Sequence, residues 1–181
     1  MQKPGKLTDE EYAHIKQHVS ITHDILSKIY ISDEFKDVVA YASTHHEKYD
    51  GTGYFKKLKN EEIPIGGRVL AVSDVFDAIT SRRHYRDKMP IKNALNIIKE
   101  GENTHFDKNI VDKFFEITLD KVTKVFLTEY NFTILPQDEE VLSKHTLKEL
   151  YAILNKEEEH LSEYEKSLKS MFNHYYDNRQ G

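Results

Sequence analysis

Two adjacent imidazoles, His45 and His46, are followed by Glu47 and Asp50 and then by a glycine-bracketed turn, Gly51-Thr52-Gly53, leading to Tyr54. Ten histidines and no cysteine point any metal chemistry to nitrogen and oxygen donors, because thiolate sites are excluded. On a regular helix, neighbouring side chains diverge by about 100°. Such a pair serves an ion cluster facing a helix end better than one ion beside a helix. The residues alone leave a second reading open, a helix C-terminus whose macrodipole favours histidine, followed by a turn. His18 lies beside a helical stripe, in line with Ile15, Thr22 and Ile25, and by itself fits a hydrogen-bonded core histidine as well as a ligand. His14, one turn earlier among polar neighbours, reads as surface. Asp74 and Asp77 interrupt the apolar stretch 65–79. Acids are rarely buried without a partner charge or a metal, so this pair is the second signal.

The elements that must position these groups all read as helices. Thr8 and Glu11 form a capping-box pattern ahead of Tyr12, Ile15, Val19, Thr22, Leu26 and Ile29, a buried stripe at helical spacing. Asp33 is expected to cap a second helix, with Phe35, Val38, Val39 and Ala42 inside and its end at His45-His46. In the loop 47–62, Asp50-Gly51-Thr52-Gly53 calls for backbone at positive φ, where glycine costs least. Pro64 opens a helix of about sixteen residues with Ile65, Val69, Val72, Phe76 and Ile79 as its buried face. Ser81-Arg82-Arg83-His84-Tyr85-Arg86 ends that helix in a basic cluster. A short helix runs from Pro90 and is closed by Gly101, and Asp107 caps another carrying Ile110, Val111, Phe114 and Phe115. No alternating strand pattern precedes residue 118, and the fold class is all-α.

Beyond Thr118 the character changes. Two charged helical stretches, 138–155 and 156–176, carry Leu147, Leu154, Leu161, Leu168 and Tyr175 at sevenfold spacing, with Leu150, Tyr164 and Met171 at the other seam position. That pattern fits a coiled-coil homodimer through residues 147–175 and equally a helical hairpin folded back on the chain. The net charge of −5 supplies no global basic field for duplex nucleic acid, so an anionic ligand must be met by local arginines or a metal. No apolar run reaches the roughly 18 residues of a membrane span, no secretory signal opens the sequence, and a cytoplasmic location is expected.

Taken together, HHEKYDGTGY, the following IP, RVLAVSDVFDAITSRRHYR and HFDKNIVDKFFEI resemble the HD-GYP family of HD-superfamily phosphohydrolases. The opening KPGKLTDEEYAHIKQHVSITHDIL resembles the segment leading into a metal-binding histidine of that family. The resemblance covers residues 3–117 in order. It implies an HD-domain-like helical bundle over 1–117, N-terminally truncated, with a helical extension over 118–181. It implies a metal-dependent phosphodiesterase that opens cyclic di-GMP to the linear dinucleotide pGpG or to GMP, using two or three iron or manganese ions in bacterial second-messenger signalling. On the matching positions, His18, His45, His46 and Asp74 are the implied metal ligands, with Asp74 and His46 also implied as catalytic. Glu47 and Asp77 are the implied carboxylates that fix the imidazoles. Tyr54 is implied beside the bound dinucleotide, and Arg83 and Arg86 on its phosphates.

The pattern departs from the family in three places. The defining His-Asp pair belongs upstream of the KPG segment, and His23-Asp24 has those letters in the wrong context. Phe55 replaces the proline of GYP, and Asn60 replaces a loop glycine. Octahedral ions want about six donors each, which four side chains cannot supply. The chain by itself is therefore expected to hydrolyse cyclic di-GMP slowly or not at all, and its expected partners include an upstream HD-containing segment or sensor domain. Without the family's N-terminal helices one wall of the bundle is missing, which is expected to expose apolar surface. The alternative is a catalytically inactive module that binds cyclic dinucleotides or dimerises in signalling.

Overall fold

A computed structural model of the chain describes residues 8–82, 87–128 and 132–177. Among these residues the regular structure is helical, with only two isolated β-bridges, Glu102 to Phe106 and Thr118 to Thr146. None of the helices is long and apolar enough to cross a membrane. Contacts divide the chain into two compact units, Met1–Val111 and Asp112–Gly181. The division falls inside one helix, short of residue 118.

In the first unit, α1 spans Asp9–Leu26, and its N-terminus is the capping box expected from Thr8 and Glu11. Of its apolar stripe only Val19 is fully buried; Tyr12 and Ile29 are about half exposed, as are Ile21 and Ile25. The next segment departs from expectation. Asp33–Phe35 makes a single 3-10 turn, and α2 covers only Val38–Ala42. Phe35 and Val38 are exposed, and His45-His46 lie beyond the helix in the turn that follows. Two short side chains and one backbone hydrogen bond build that turn. Ser43 Oγ donates to the Val39 carbonyl, Thr44 Oγ1 to the Ala40 carbonyl, and the Glu47 amide to the Thr44 carbonyl.

Helix α3, Ile65–Thr80, starts after Pro64 and packs on α2 through Gly66 and Gly67. A Cβ on Gly66 would lie 2.3 Å from the Tyr41 ring, and one on Gly67 would lie 2.1 Å from Thr44 Oγ1. This close approach brings the turn after α2 against α3. The buried face of α3 is Ala71, Val72, Phe76 and Thr80, while Ile65 (50 % exposed), Val69 (43 %) and Leu70 (41 %) face outward. Asp74 and Asp77 share that exposed side, so their burial, expected from the apolar sequence around them, does not occur. A mostly apolar helix reads as buried on most sides, but the packing covers only one side of α3. Helix α4, Ile91–Glu100, begins after Pro90 and ends at Gly101. Asp107 caps α5, Lys108–Phe115, by accepting from the Asn109 amide, and its other carboxylate oxygen pairs with Arg68 at 2.5 Å. Asp107 is only 2 % exposed, and that partner charge offsets its desolvation.

The second unit holds α6 (Leu119–Leu127), α7 (Pro136–Leu142), α8 (Leu147–Asn155) and α9 (Glu163–Asp177). The sevenfold leucines do not form one seam. Residues 156–162 break the helix between α8 and α9, and α8 packs on α9. Leu147, Leu154, Leu161, Leu168 and Tyr175 are buried inside this unit, so the helical-hairpin reading describes it and the expected dimer seam is already filled intramolecularly. Phe126 and Tyr176 meet edge to face at 5.3 Å. The Tyr175 hydroxyl donates to Asp138 and accepts from the Leu135 amide.

Candidate metal centre

His18 on α1 and His45 and His46 in the turn after α2 converge: one ring nitrogen from each lies within 4.8 Å of the other two. Ring centroids are 4.1 Å apart for His45–His46, 5.0 Å for His18–His46 and 5.7 Å for His18–His45. Because the pair sits past the end of the helix, the 100° divergence of helical neighbours does not apply.

Two imidazoles are fixed by backbone carbonyls. His18 Nδ1 is 2.6 Å from the Ile15 carbonyl and His45 Nδ1 is 2.8 Å from the Ala42 carbonyl. A carbonyl only accepts, so Nδ1 carries a proton in both rings, and in the neutral ring it is Nε2 that bears the free lone pair. That is the state a metal ligand needs. Burial, reinforced by His45 and His18, pushes His46 from its ordinary value of 6.5 down to about 4, with Asp74 opposing. His46 is therefore neutral near pH 7.

Glu47 and Asp77 do not hold these rings. Glu47 is 1 % exposed, and its Oε1 accepts from the Lys56 and Lys57 amides at 2.6 and 3.1 Å. Its Oε2 is buried without a hydrogen-bond partner. Glu47 thus organises the loop behind the imidazoles. Asp77 Oδ1 accepts from Ser81 Oγ at the end of α3. The carbonyls that actually set the tautomers have no sequence signature beyond an i, i−3 spacing.

Asp74 lies outside the group of three imidazoles but borders it. With His45, Thr22, Ala42, Leu70, Ser73 and Asp77 it lines an open hollow of about 470 Å³. Its charge acts on both His46 and Tyr54. The Tyr54 ring stacks on His46 with centroids 4.9 Å apart and planes at 25°. Burial pushes the Tyr54 phenol up to about 12, with Tyr12 and Asp74 adding to the shift, so it stays a donor at neutral pH. Thr22 and Tyr12, counted with the buried stripe, therefore belong to the surroundings of the site. Arg83 and Arg86 lie outside the described residues.

The loop that presents Tyr54 has a specific backbone. Gly51 has φ +84°, and Asp50 Oδ1 accepts from the Thr52 amide and hydroxyl. These hydrogen bonds hold the Asp50 carboxyl below its ordinary value. Gly53 is needed for a different reason from Gly51: its Cβ would come 2.4 Å from the Lys48 amide nitrogen. Phe55 has φ +93° and Asn60 has φ +53°. Asparagine is among the residues that tolerate this region best, which accounts for Asn60 at a glycine position. Proline, locked near −65°, cannot take the φ that Phe55 takes. A second cluster of possible ligands, Glu157, Glu159 and His160, is exposed in the second unit.

Residues 1–110 match the HD domain family. The chain is similar to a cyclic di-GMP phosphodiesterase of Vibrio cholerae, 41 % identical over 119 residues, which is 64 % of this chain and 24 % of that protein. It is similar to a cyclic di-GMP phosphodiesterase of Thermotoga maritima, 39 % identical over 127 residues, 70 % of this chain and 34 % of that protein. A 3′3′-cGAMP-specific phosphodiesterase of Vibrio cholerae is 39 % identical over 107 residues, 59 % of this chain and 23 % of that protein. The chain thus spans about a quarter to a third of the length of these relatives.

Proposed function

This chain belongs to the HD domain family, and from that premise we propose that it carries part of the catalytic centre of a metal-dependent cyclic di-GMP phosphodiesterase of the HD-GYP type. The observation that carries the reading is the convergence of three imidazoles within 4.8 Å, two of them with carbonyl-bound Nδ1. The names of the relatives support a cyclic dinucleotide as substrate class.

The donor set fits a divalent ion of the iron or manganese kind, since neutral imidazoles and a nearby carboxylate are the ligands such ions take. His18, His45 and His46 would hold it through nitrogen, with Asp74 offering oxygen from the rim of the hollow. A metal bound there supplies charge neutralisation at the phosphate and a water of lowered pKa, the two things phosphodiester hydrolysis needs. Protein groups do the rest. The Ile15 and Ala42 carbonyls orient two rings, the Thr44 and Ser43 hydrogen bonds hold the turn, and Glu47 anchors the loop. Tyr54 places a protonated phenol and a ring face beside the ligand. Arg83 and Arg86 would meet phosphate oxygens, where their forked guanidinium suits bidentate contact. Hydrolysis would give pGpG or GMP.

Three imidazoles and one rim carboxylate fall short of the roughly six donors an octahedral ion takes. This shortage favours donors from a further segment of the protein, and otherwise the second reading, a module that binds the dinucleotide without cleaving it. Titration of the chain with Mn(II), followed by electron paramagnetic resonance, tests the site. His46→Ala is expected to weaken binding by on the order of tenfold or more, with slow cyclic di-GMP turnover in both proteins. Equal Mn(II) binding by the variant would remove the metal assignment. Fast turnover by the chain alone, lost in His46→Ala, would show that its own donors suffice.

A further inference from the structure

Helix α1, which delivers His18, also carries a lysine that the proposed reaction leaves unused. Tyr12 and Lys16 are four residues apart, one turn along α1, where side chains meet. The Lys16 ammonium lies 4.2 Å from the centroid of the Tyr12 ring and 5.4 Å from that of Tyr54. Tyr54 in turn stacks on His46, and His46 meets His18 edge to face. The side chains thus form one row, from the imidazoles through Tyr54 to Lys16 and Tyr12.

What holds this ammonium sets it apart from many other lysines of the chain. Lys99, Lys113 and Lys144 sit on glutamates at 2.5 to 2.8 Å, which spend their charge. Among the described residues Lys16 has no carboxylate partner, and its recorded contacts are the two ring faces. An aromatic face attracts a cation without neutralising it. Two rings therefore hold a full positive charge beside the imidazole cluster. The carboxylates at the hollow, Asp74 and Asp77, would otherwise repel an anion.

We propose that Lys16 is a substrate-binding residue whose ammonium, positioned by Tyr12 and Tyr54, contacts a phosphodiester of the bound cyclic dinucleotide. The inference rests on the functional reading above and adds a cation to it from an element outside the glycine-rich loop. A charge-assisted contact of this kind contributes an order of magnitude or more in affinity. It also adds to the salt dependence of binding, because a screened charge pair weakens as ionic strength rises.

The test is fluorescence anisotropy of a labelled cyclic di-GMP with the Mn(II)-loaded chain, at several salt concentrations, for wild type, Lys16→Met and Lys16→Arg. Methionine keeps an unbranched apolar stem against Tyr12 and removes the charge; arginine keeps the charge and stacks on rings. Lys16→Met is expected to raise the dissociation constant roughly tenfold and to flatten the salt dependence, while Lys16→Arg binds close to wild type. Thermal midpoints and Mn(II) affinity are expected to stay the same in all three. Wild-type binding with an unchanged constant and salt slope in Lys16→Met would overturn the Lys16 assignment alone. So would a loss of affinity matched by a lower thermal midpoint, since that marks a packing role. Failure of the wild type itself to bind would overturn both this inference and the functional reading.

Discussion

At the scale of single residues, the site is set by protonation states. His46 is held neutral because its ring is partly buried and has two other imidazoles against it, which lowers its value from 6.5 to about 4. His105, which is also displaced downward by burial, adds to the same trend. A group whose folded value is depressed stabilises the fold above its unfolded value, and that stability is lost as pH falls. Thermal midpoints of the metal-free chain should therefore be level above about pH 6.5 and fall as pH is lowered toward the folded value of His46, about 4. In His46→Gln, where the titrating ring is gone, the fall should be shallower. An identical slope in the variant would mean that His46 is not held neutral by the fold. Bound metal should steepen the acid loss, since protonation and coordination compete for the same nitrogens.

The elements show why such a short helix matters. Helix α2 stops at Ala42, and the turn anchored by Ser43, Thr44 and Glu47 carries both histidines off the helical path. Gly66 and Gly67 then let α3 approach that turn within side-chain distance. The loop 47–62 is the other half of the site, and its conformation at Phe55 departs from the family pattern. With φ at +93°, Phe55 costs backbone strain of about 1–3 kcal/mol, and its ring lies 5.4 Å from the His23 ring. Restoring the family's residue by Phe55→Pro should therefore destabilise the loop, because proline cannot reach positive φ. Urea unfolding should show a loss of about 1–3 kcal/mol, and the loop should become more open to proteases. A gain in stability would show that the loop readily takes a second path.

Across the whole molecule, two compact units are built on different logic. The first leaves Ile21, Ile25, Ile65, Val69 and Leu70 about half exposed, and its polar interior is concentrated around the imidazole turn. The second encloses most of its leucines together with Phe126, Phe172, Tyr175 and Tyr176, and leaves Phe132, Leu135 and Tyr164 about half exposed. Leu168 is 2 % exposed within α9, in the core formed as α9 packs on α6, α7 and α8. Leu168→Ala should cost about 2–5 kcal/mol, the usual range for a buried leucine. If the core is intramolecular, the unfolding midpoints of wild type and variant should not move with protein concentration. A midpoint that rises with concentration would restore the coiled-coil dimer.

Sequence alone determined most of the helices and the residue types on offer for metal chemistry. Residue types and local spacing are enough to identify capping boxes, proline starts, glycine stops and a histidine-carboxylate motif, because these depend on interactions a few residues long. Thr8 and Glu11, Pro90 and Gly101, and Asp107 all act where their spacing placed them. Only the tertiary structure decided which side of α3 faces solvent, since an apolar helix gives no direction for burial and Asp74 and Asp77 needed none. Packing likewise decided that α2 ends before its histidines, that carbonyls rather than carboxylates orient two of the rings, and that the sevenfold leucines close on themselves. Each of those outcomes depends on atoms brought together from distant parts of the chain, or on a backbone break that local periodicity does not encode.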